Sequence, residues 1–397
     1  MWQRSGASLF ALVVLAIVVV EAAAMVTLAV AFVLLTAGKL LHDDLLLATW
    51  IALAILGISV VGLGLYIVAF HVVAARSEKQ RQERVRGWTV WWRGLLQYTR
   101  RDHQGVLPRE ALDAFLELRE TLPPEESERL AVIGDRYLIA QWLCERMSTR
   151  SVPRRLEALQ DLARARLAPA LPTIVAALRD PEPVIRRHAL RAAARTLARI
   201  PAEVRGPQIE AFVRALREID LPASLLTESM LLLDDATAEV VAPLLGDGGV
   251  KLPVLQGALV AAGRRELASL ADAVLPFVDH ADPEVRAAAL RALAGMAALP
   301  AGAEGAVMAR VDDEKPFVRV HAVRAAALLR APAAREALWT RLGDPSWWVR
   351  LAAARAMAEQ GSEGVRTLES AAAEHPDRFA RDMARQALAD RAWKVAA

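Results

Sequence analysis

The side chains that recur at fixed spacing in this 397-residue sequence are arginines and aspartates. Four segments superimpose: Ile185–Ala192, Val285–Ala292, Val318–Ala325 and Val349–Ala356. Each carries one arginine directly after its first aliphatic residue (Arg186, Arg286, Arg319, Arg350) and a second five residues later (Arg191, Arg291, Arg324, Arg355). Asp180-Pro181, Asp282-Pro283, Asp313 with Pro316, and Asp344-Pro345 precede them. A guanidinium always carries charge and offers five donors in a rigid fork, so its chemistry is ion pairing and recognition of anions, not proton transfer. Asp before Pro is a helix-start signal: the carboxylate accepts orphan backbone N–H bonds and Pro lacks the N–H that would need a partner.

On a wheel of about 100° per residue with the aliphatic residue at 0°, the first arginine falls at about 100°, inside the apolar arc. A half-buried guanidinium needs a carboxylate, so Arg186, Arg286, Arg319 and Arg350 are expected to pair with an Asp of the same turn or of the next repeat. The second arginine falls at about 240°, opposite the core. Among its intrahelical neighbours at i±3 and i±4 the one acidic residue is Glu359, placed to pair with Arg355. In the degenerate copies the same position holds Leu231 and Val260, so this face runs basic, apolar, then basic. Such a face suits a partner with acidic and apolar surface; a merely solvated arginine face is the alternative. Trp347 and Trp348 lie just before Val349 and are either an exposed aromatic anchor or inter-repeat packing.

Nothing else assembles into a catalytic constellation. The seven histidines are dispersed, and although His188 and His321 share a repeat position, no carboxylate recurs with them. Phosphate-loop, dinucleotide-fingerprint and HExxH patterns are absent. One cysteine, Cys144, excludes a disulfide framework and a multi-cysteine metal site; its apolar helical context predicts a buried, inert thiol. No cofactor or metal is expected, and the reading is non-enzymatic.

The N-terminal quarter differs from the rest. Gly6–Ala37 is almost continuously apolar, broken by Glu21, and Leu45–Ala75 contains no Lys, Arg, Asp or Glu. Each exceeds the ~20 residues that cross a bilayer, so residues 1–75 are expected to form a transmembrane helical hairpin rather than a cleaved leader. Residues 1–101 hold ten Lys/Arg against five Asp/Glu, the remainder 39 against 41. The positive flank after the second span places both termini and the repeats on the cytoplasmic side, as a multi-pass protein of the bacterial inner membrane. Glu21 either meets a membrane partner or Tyr66, or sits near the interface. Residues 76–101 form a basic amphipathic stretch with Trp88, Trp91 and Trp92 beside Arg84 and Arg93. That composition suits a juxtamembrane helix at the headgroup level of an anionic leaflet; the alternative is the first helix of the following domain, with the Trp stripe as core.

Residues 102–150 predict capping helices. Beyond them, anchor positions 154, 185, 225, 254, 285, 318, 349 and 380 mark eight copies, most of them 31 to 33 residues apart, with a second apolar helix between (Ala170–Leu178, Gln208–Ile219, Leu267–Val278, Ala334–Leu342). Helical hairpins in tandem stack into an α-solenoid. The pattern Asp-Pro-x-x-Val-Arg-x-x-Ala-x-x-Ala resembles short bacterial HEAT-like repeats, the type also seen in phycobiliprotein bilin lyases, over about 150–397. The resemblance implies an all-α chain, a right-handed solenoid at 151–397, and a second helix of each repeat that lines the concave face. It also implies a scaffold for protein–protein interaction. Together with the hairpin, the expectation is a membrane-anchored adaptor whose partners are the lipid bilayer and a protein, concretely an accessory subunit of an envelope polysaccharide synthase or membrane glycosyltransferase. A bilin-lyase-like enzyme and a nucleic-acid-binding basic-face protein are the alternatives; the near-balanced charge of the repeats speaks against nucleic acid.

Overall fold

In the computed structural model the described residues are 42–98, 107–246 and 248–396, with Ala23, Val26, Thr27, Val30 and His103. Every regular element among them is helical. The chain divides into two compact units, one ending at Ala114 and the other running from Phe115.

The first unit is dominated by α1, His42–Leu96, a single helix of 55 residues, about 80 Å long at 1.5 Å per residue. It carries the expected second span and the expected juxtamembrane stretch without interruption. The break predicted at residue 75 is absent, because no proline or capping residue intervenes and Arg76–Glu83 consists mostly of good helix formers. Among the described residues, α1 is the one helix long and apolar enough to cross a membrane. Ile58, Val61, Leu65 and Val73 on it are exposed. The first apolar run, its connecting loop and Glu21 lie outside the described residues.

The second unit begins within α2 (Arg109–Thr121) and continues through α3 (Pro124–Arg136) and α4 (Ile139–Met147). Then follow α5 (Val152–Ala165), α6 (Leu171–Ala176), α7 (Pro183–Leu197), α8 (Gly206–Glu218), α9 (Ala223–Leu231), α10 (Thr237–Leu245) and α11 (Leu252–Arg264). The series closes with α12 (Ala271–Val274), α13 (Pro283–Met296), α14 (Ala303–Val311), α15 (Pro316–Ala326), α16 (Pro332–Leu342), α17 (Trp347–Glu359), α18 (Gly361–Glu374) and α19 (Arg378–Ala396). The odd-numbered helices from α5 to α19 each pack on the next, so the second helices of successive hairpins form a continuous stack. Anchor residues Ile185, Val254, Val285, Val318, Val349 and Ala380 are fully buried. In the degenerate copy the anchor Leu225 is half-buried and its neighbour Leu226 is fully buried. Arg154 is exposed.

The stack is tightest between α11 and α13. A Cβ on Gly263 would lie 2.6 Å from Ala292 Cα, and one on Gly295 would lie 2.7 Å from the Gly263 carbonyl oxygen. Two backbones touch there, which a side chain larger than hydrogen would forbid. Farther back, the fully buried Arg119 ties α2 to the end of α5. Its Nε donates to the Ala165 carbonyl at 2.9 Å, one Nη to Ser127 Oγ at 2.8 Å, and the other to the Arg166 carbonyl at 3.2 Å. These are the carbonyls that a helix C-terminus leaves without partners.

Candidate functional site: the second-helix face

The aspartates before the second helices work in two ways. Asp282 is an N-cap that accepts the Glu284 and Val285 N–H groups, with Pro283 at the first helical position. Asp180, Asp313 and Asp344 sit two residues earlier than expected for a cap, and accept from the N–H of Glu182, Lys315 and Ser346. Each of these three also receives an arginine across both carboxylate oxygens. Arg286 donates to Asp313 through Nε and Nη2 at 2.9 and 3.0 Å, and Arg319 to Asp344 at 2.9 and 2.9 Å. Arg155 reaches Asp180 in the same manner at 3.1 Å. The remaining Nη1 of each binds two carbonyls of the loop before its own helix, as Arg319 does with Asp313 and Glu314. The ladder therefore runs to the next repeat, not within a turn. Burial alone would raise the carboxyls of Asp313 and Asp344, but the arginine and backbone N–H bonds hold both below the usual carboxylate range.

Two expected rungs lack a carboxylate among the described residues. Arg186 and Arg350 keep their loop carbonyls, Asp180 with Pro181 and Asp344 with Pro345. The residue facing Arg350 in the next repeat is His375, and the guanidinium instead lies 5.5 Å from the Phe379 ring centre. One repeat shows a complete replacement: Leu255 stands at the arginine position and His280 at the aspartate position, with His280 Nδ1 accepting the Asp282 N–H at 3.0 Å.

The second arginines follow a different rule. Two of them reach a side chain three residues past the anchor of the next repeat: Arg191 pairs with Glu228 at 2.8 Å and Arg291 donates to His321 Nε2 at 3.1 Å. The same position in the next two repeats holds Ala352 and Met383, which offer neither a carboxylate nor an imidazole. Arg324 and Arg355 consequently have no hydrogen-bond or ion-pair partner among the described residues, and both are exposed. Glu359, expected to pair with Arg355, is exposed and unpaired among those residues. Arg324 and Arg355 together line a groove of 370 Å³ with Arg330, Glu359 and Gln360, floored by Ala294, Ala327, Ala352 and Ala356. Gln360 Nε2 donates to the Ala327 carbonyl at 3.0 Å, while its Oε1 is buried and accepts nothing.

Beside the groove, His321 is buried. Burial, then Arg291 and Arg324, push its pKa down to about 4, so the ring is neutral and accepts from Arg291. Leu231 and Val260, expected on this face, are half-buried at its degenerate part. Trp347 and Trp348 are 44% and 67% exposed, their rings edge-to-face at 4.7 Å, so they are not buried between repeats. Cys144 is half-buried, short of the full burial expected.

The tryptophans of α1 belong to a separate cluster in the first unit. Trp92 is 0% exposed, with its indole N–H donating to the Ala111 carbonyl at 2.9 Å. That burial corrects the headgroup-level expectation for Trp92, which is core. Trp88 and Trp91 are half-buried, edge-to-face with each other at 5.3 Å and with His103. Arg84 pairs with Glu110 at 2.9 Å, and Arg93 is exposed. Among the described residues no group of three or more His, Cys, Asp or Glu is placed to hold a metal ion.

The profile describing HEAT repeats matches residues 303–389. The C-terminal repeats are HEAT-like. No curated protein matches the sequence. Among solved structures, YibA of E. coli is similar at 11% identity, covering 72% of this chain and 99% of its own, with a TM-score of 0.40. A mutant of Kap121p is similar at 13% identity over 72% of this chain and 37% of that one, with a TM-score of 0.45. A designed armadillo repeat protein is similar at 19% identity over 63% and 98%, with a TM-score of 0.27.

Proposed function

We propose that this chain is a non-enzymatic scaffold, moored to a bacterial inner membrane by α1 and the apolar run before it, whose HEAT-like repeats hold a partner protein on the second-helix face. The observation that carries the reading is the pair Arg324 and Arg355, in one groove over an alanine floor and without an ion-pair partner among the described residues. The groove gathers three guanidiniums, Arg324, Arg330 and Arg355, against the single carboxylate of Glu359, which suits an acidic partner surface. The bilayer role rests on the exposed apolar length of α1 and on the arginines that follow the apolar stretch within the same helix. The concrete version to test is an accessory subunit of an envelope polysaccharide synthase or membrane glycosyltransferase.

The test is co-purification in detergent from the native host with the R324E/R355E double variant. Partner recovery should drop severalfold while the protein stays folded, and R291E, whose parent side chain is tied to His321, should lose less. Equal recovery with the folded double variant removes the docking reading. Protease accessibility of a C-terminal tag in inverted vesicles checks the cytoplasmic placement.

A further inference from the structure

The residue before each anchor gives a second row along the same helices. It is Val184 and Glu284 in earlier repeats, then Phe317, Trp348 and Phe379 in the last three. These aromatics are 38%, 67% and 60% exposed. Phe317 and Arg324 are seven residues apart on α15, as are Trp348 and Arg355 on α17. Seven residues are close to two helical turns, so each pair shares a face with about 10.5 Å between its members. Val320 and Leu351, both half-buried, lie between them. α15 and α17 pack directly, at the 8–10 Å typical of neighbouring helices (about one helix diameter). The face is therefore a small rectangle: two aromatic corners, two unpaired guanidinium corners, and a groove of 370 Å³ between the arginines.

We infer that this rectangle receives an acidic amphipathic helix of a partner protein. The inference rests on the docking reading above and specifies its occupant. A helix laid along α15 and α17 repeats every two turns with nearly the same 10.5 Å. Carboxylates at positions i and i+3 or i+4 would meet Arg324 and Arg355, and large apolar side chains at i+7 and i+10 or i+11 would meet Phe317 and Trp348. An extended segment advances about 3.3 Å per residue and would place one pair of side chains against each row, leaving a cation of each pair unmatched. The alanine floor admits close approach. Three guanidiniums in the groove lining, Arg324, Arg330 and Arg355, against the one carboxylate of Glu359 leave a positive excess that calls for carboxylates, not for a neutral or basic segment.

The test uses the full chain in phosphatidylcholine nanodiscs and a displayed library of helical peptides with the outward positions randomised. Selected helices should carry a carboxylate pair and, two turns on, an apolar pair. Each should bind R324E/R355E and W348A about tenfold more weakly or worse, with both variants melting like the parent. A lysine-for-glutamate swap in a selected helix should restore binding to R324E/R355E. Failure to enrich any helix, enrichment without the carboxylate pair, or equal binding to the variants overturns the inference. Release of the selected helix by phosphatidylglycerol vesicles but not by phosphatidylcholine vesicles assigns the face to a lipid surface and overturns it too. If these arms fail while R324E/R355E still loses its partner in co-purification, only the helical occupant falls; if co-purification is also unaffected, the docking reading falls with it.

Discussion

Removing one carboxylate from the arginine ladder has a calculable consequence. Asp344 is 2% exposed and accepts two bonds from Arg319, one from the Ser346 N–H at 2.8 Å and one from Arg341 at 3.2 Å. In D344A, Arg319 keeps its two loop carbonyls but loses its counter-charge in a nearly buried setting. Breaking such a pair from one side costs about 3–5 kcal/mol. At roughly 2–4 °C per kcal/mol for a unit of this size, the melting midpoint should fall by about 10 °C. The chain itself contains the repair. Leu255 with His280 occupies the same two positions without either charge, and the imidazole takes over the backbone N–H. R319L/D344H should therefore return to within about 1–2 kcal/mol of the parent, since removing both charges of a buried pair is often close to neutral. The assay is chemical unfolding of the parent, both single variants and the double, read as a double-mutant cycle. The coupling should reach at least about 2 kcal/mol. A D344A cost under about 1 kcal/mol, or a double variant equal to the sum of its singles, would refute the ladder as the element that registers one repeat on the next.

Three further outcomes follow from single sites. His321 holds its proton only below about pH 4, whereas an unfolded histidine takes one near its ordinary 6.5; the unfolded chain therefore binds protons first as the pH falls, so stability should drop between about 6.5 and 4 by about 3 kcal/mol. H321Q should flatten most of that slope in pH-dependent melts, leaving a smaller contribution of the same sign from His188, whose pKa burial and nearby arginines also lower. W92A should cost about 3–5 kcal/mol by loss of a fully buried ring and its bond to Ala111, while R93A should be silent in the same melts; a W92A variant that melts like the parent returns Trp92 to the membrane surface. G263A should destabilise by at least about 2 kcal/mol, because the added carbon meets Ala292 backbone at 2.6 Å; G305A, with nothing within 4 Å, should be neutral or stabilising by up to about 1 kcal/mol.

What could be read from the residues alone was whatever one helix decides by itself. The buried anchors and the half-buried arginine beside each follow from a 3.6-residue period and from the cost of an unpaired charge. The helix-start aspartates were recognisable as such, but not their split into caps and ladder ligands, because whether an arginine reaches the carboxylate depends on the loop of the neighbouring repeat. Trp92 shows the same limit. A stripe of Trp and Arg looks alike whether a lipid headgroup or another helix covers it, and the decisive partner, Ala111, lies in the following helix. The free arginines were the most informative case. All four occupy one wheel position, so no single-helix argument separates Arg191 and Arg291 from Arg324 and Arg355. The separation comes from the third residue past the next anchor: Glu228 and His321 occupy the first two, Ala352 and Met383 the last two. Those identities were present in the sequence and lacked only the rule connecting position six of one repeat to position three of the next. The consensus positions thus explain why the array folds, since each copy repeats them. The site arises on α15 and α17, where Arg324 and Arg355 stand without an ion-pair partner among the described residues and Phe317 and Trp348 precede them by seven positions, so that one occupant laid along both helices would meet all four side chains at once.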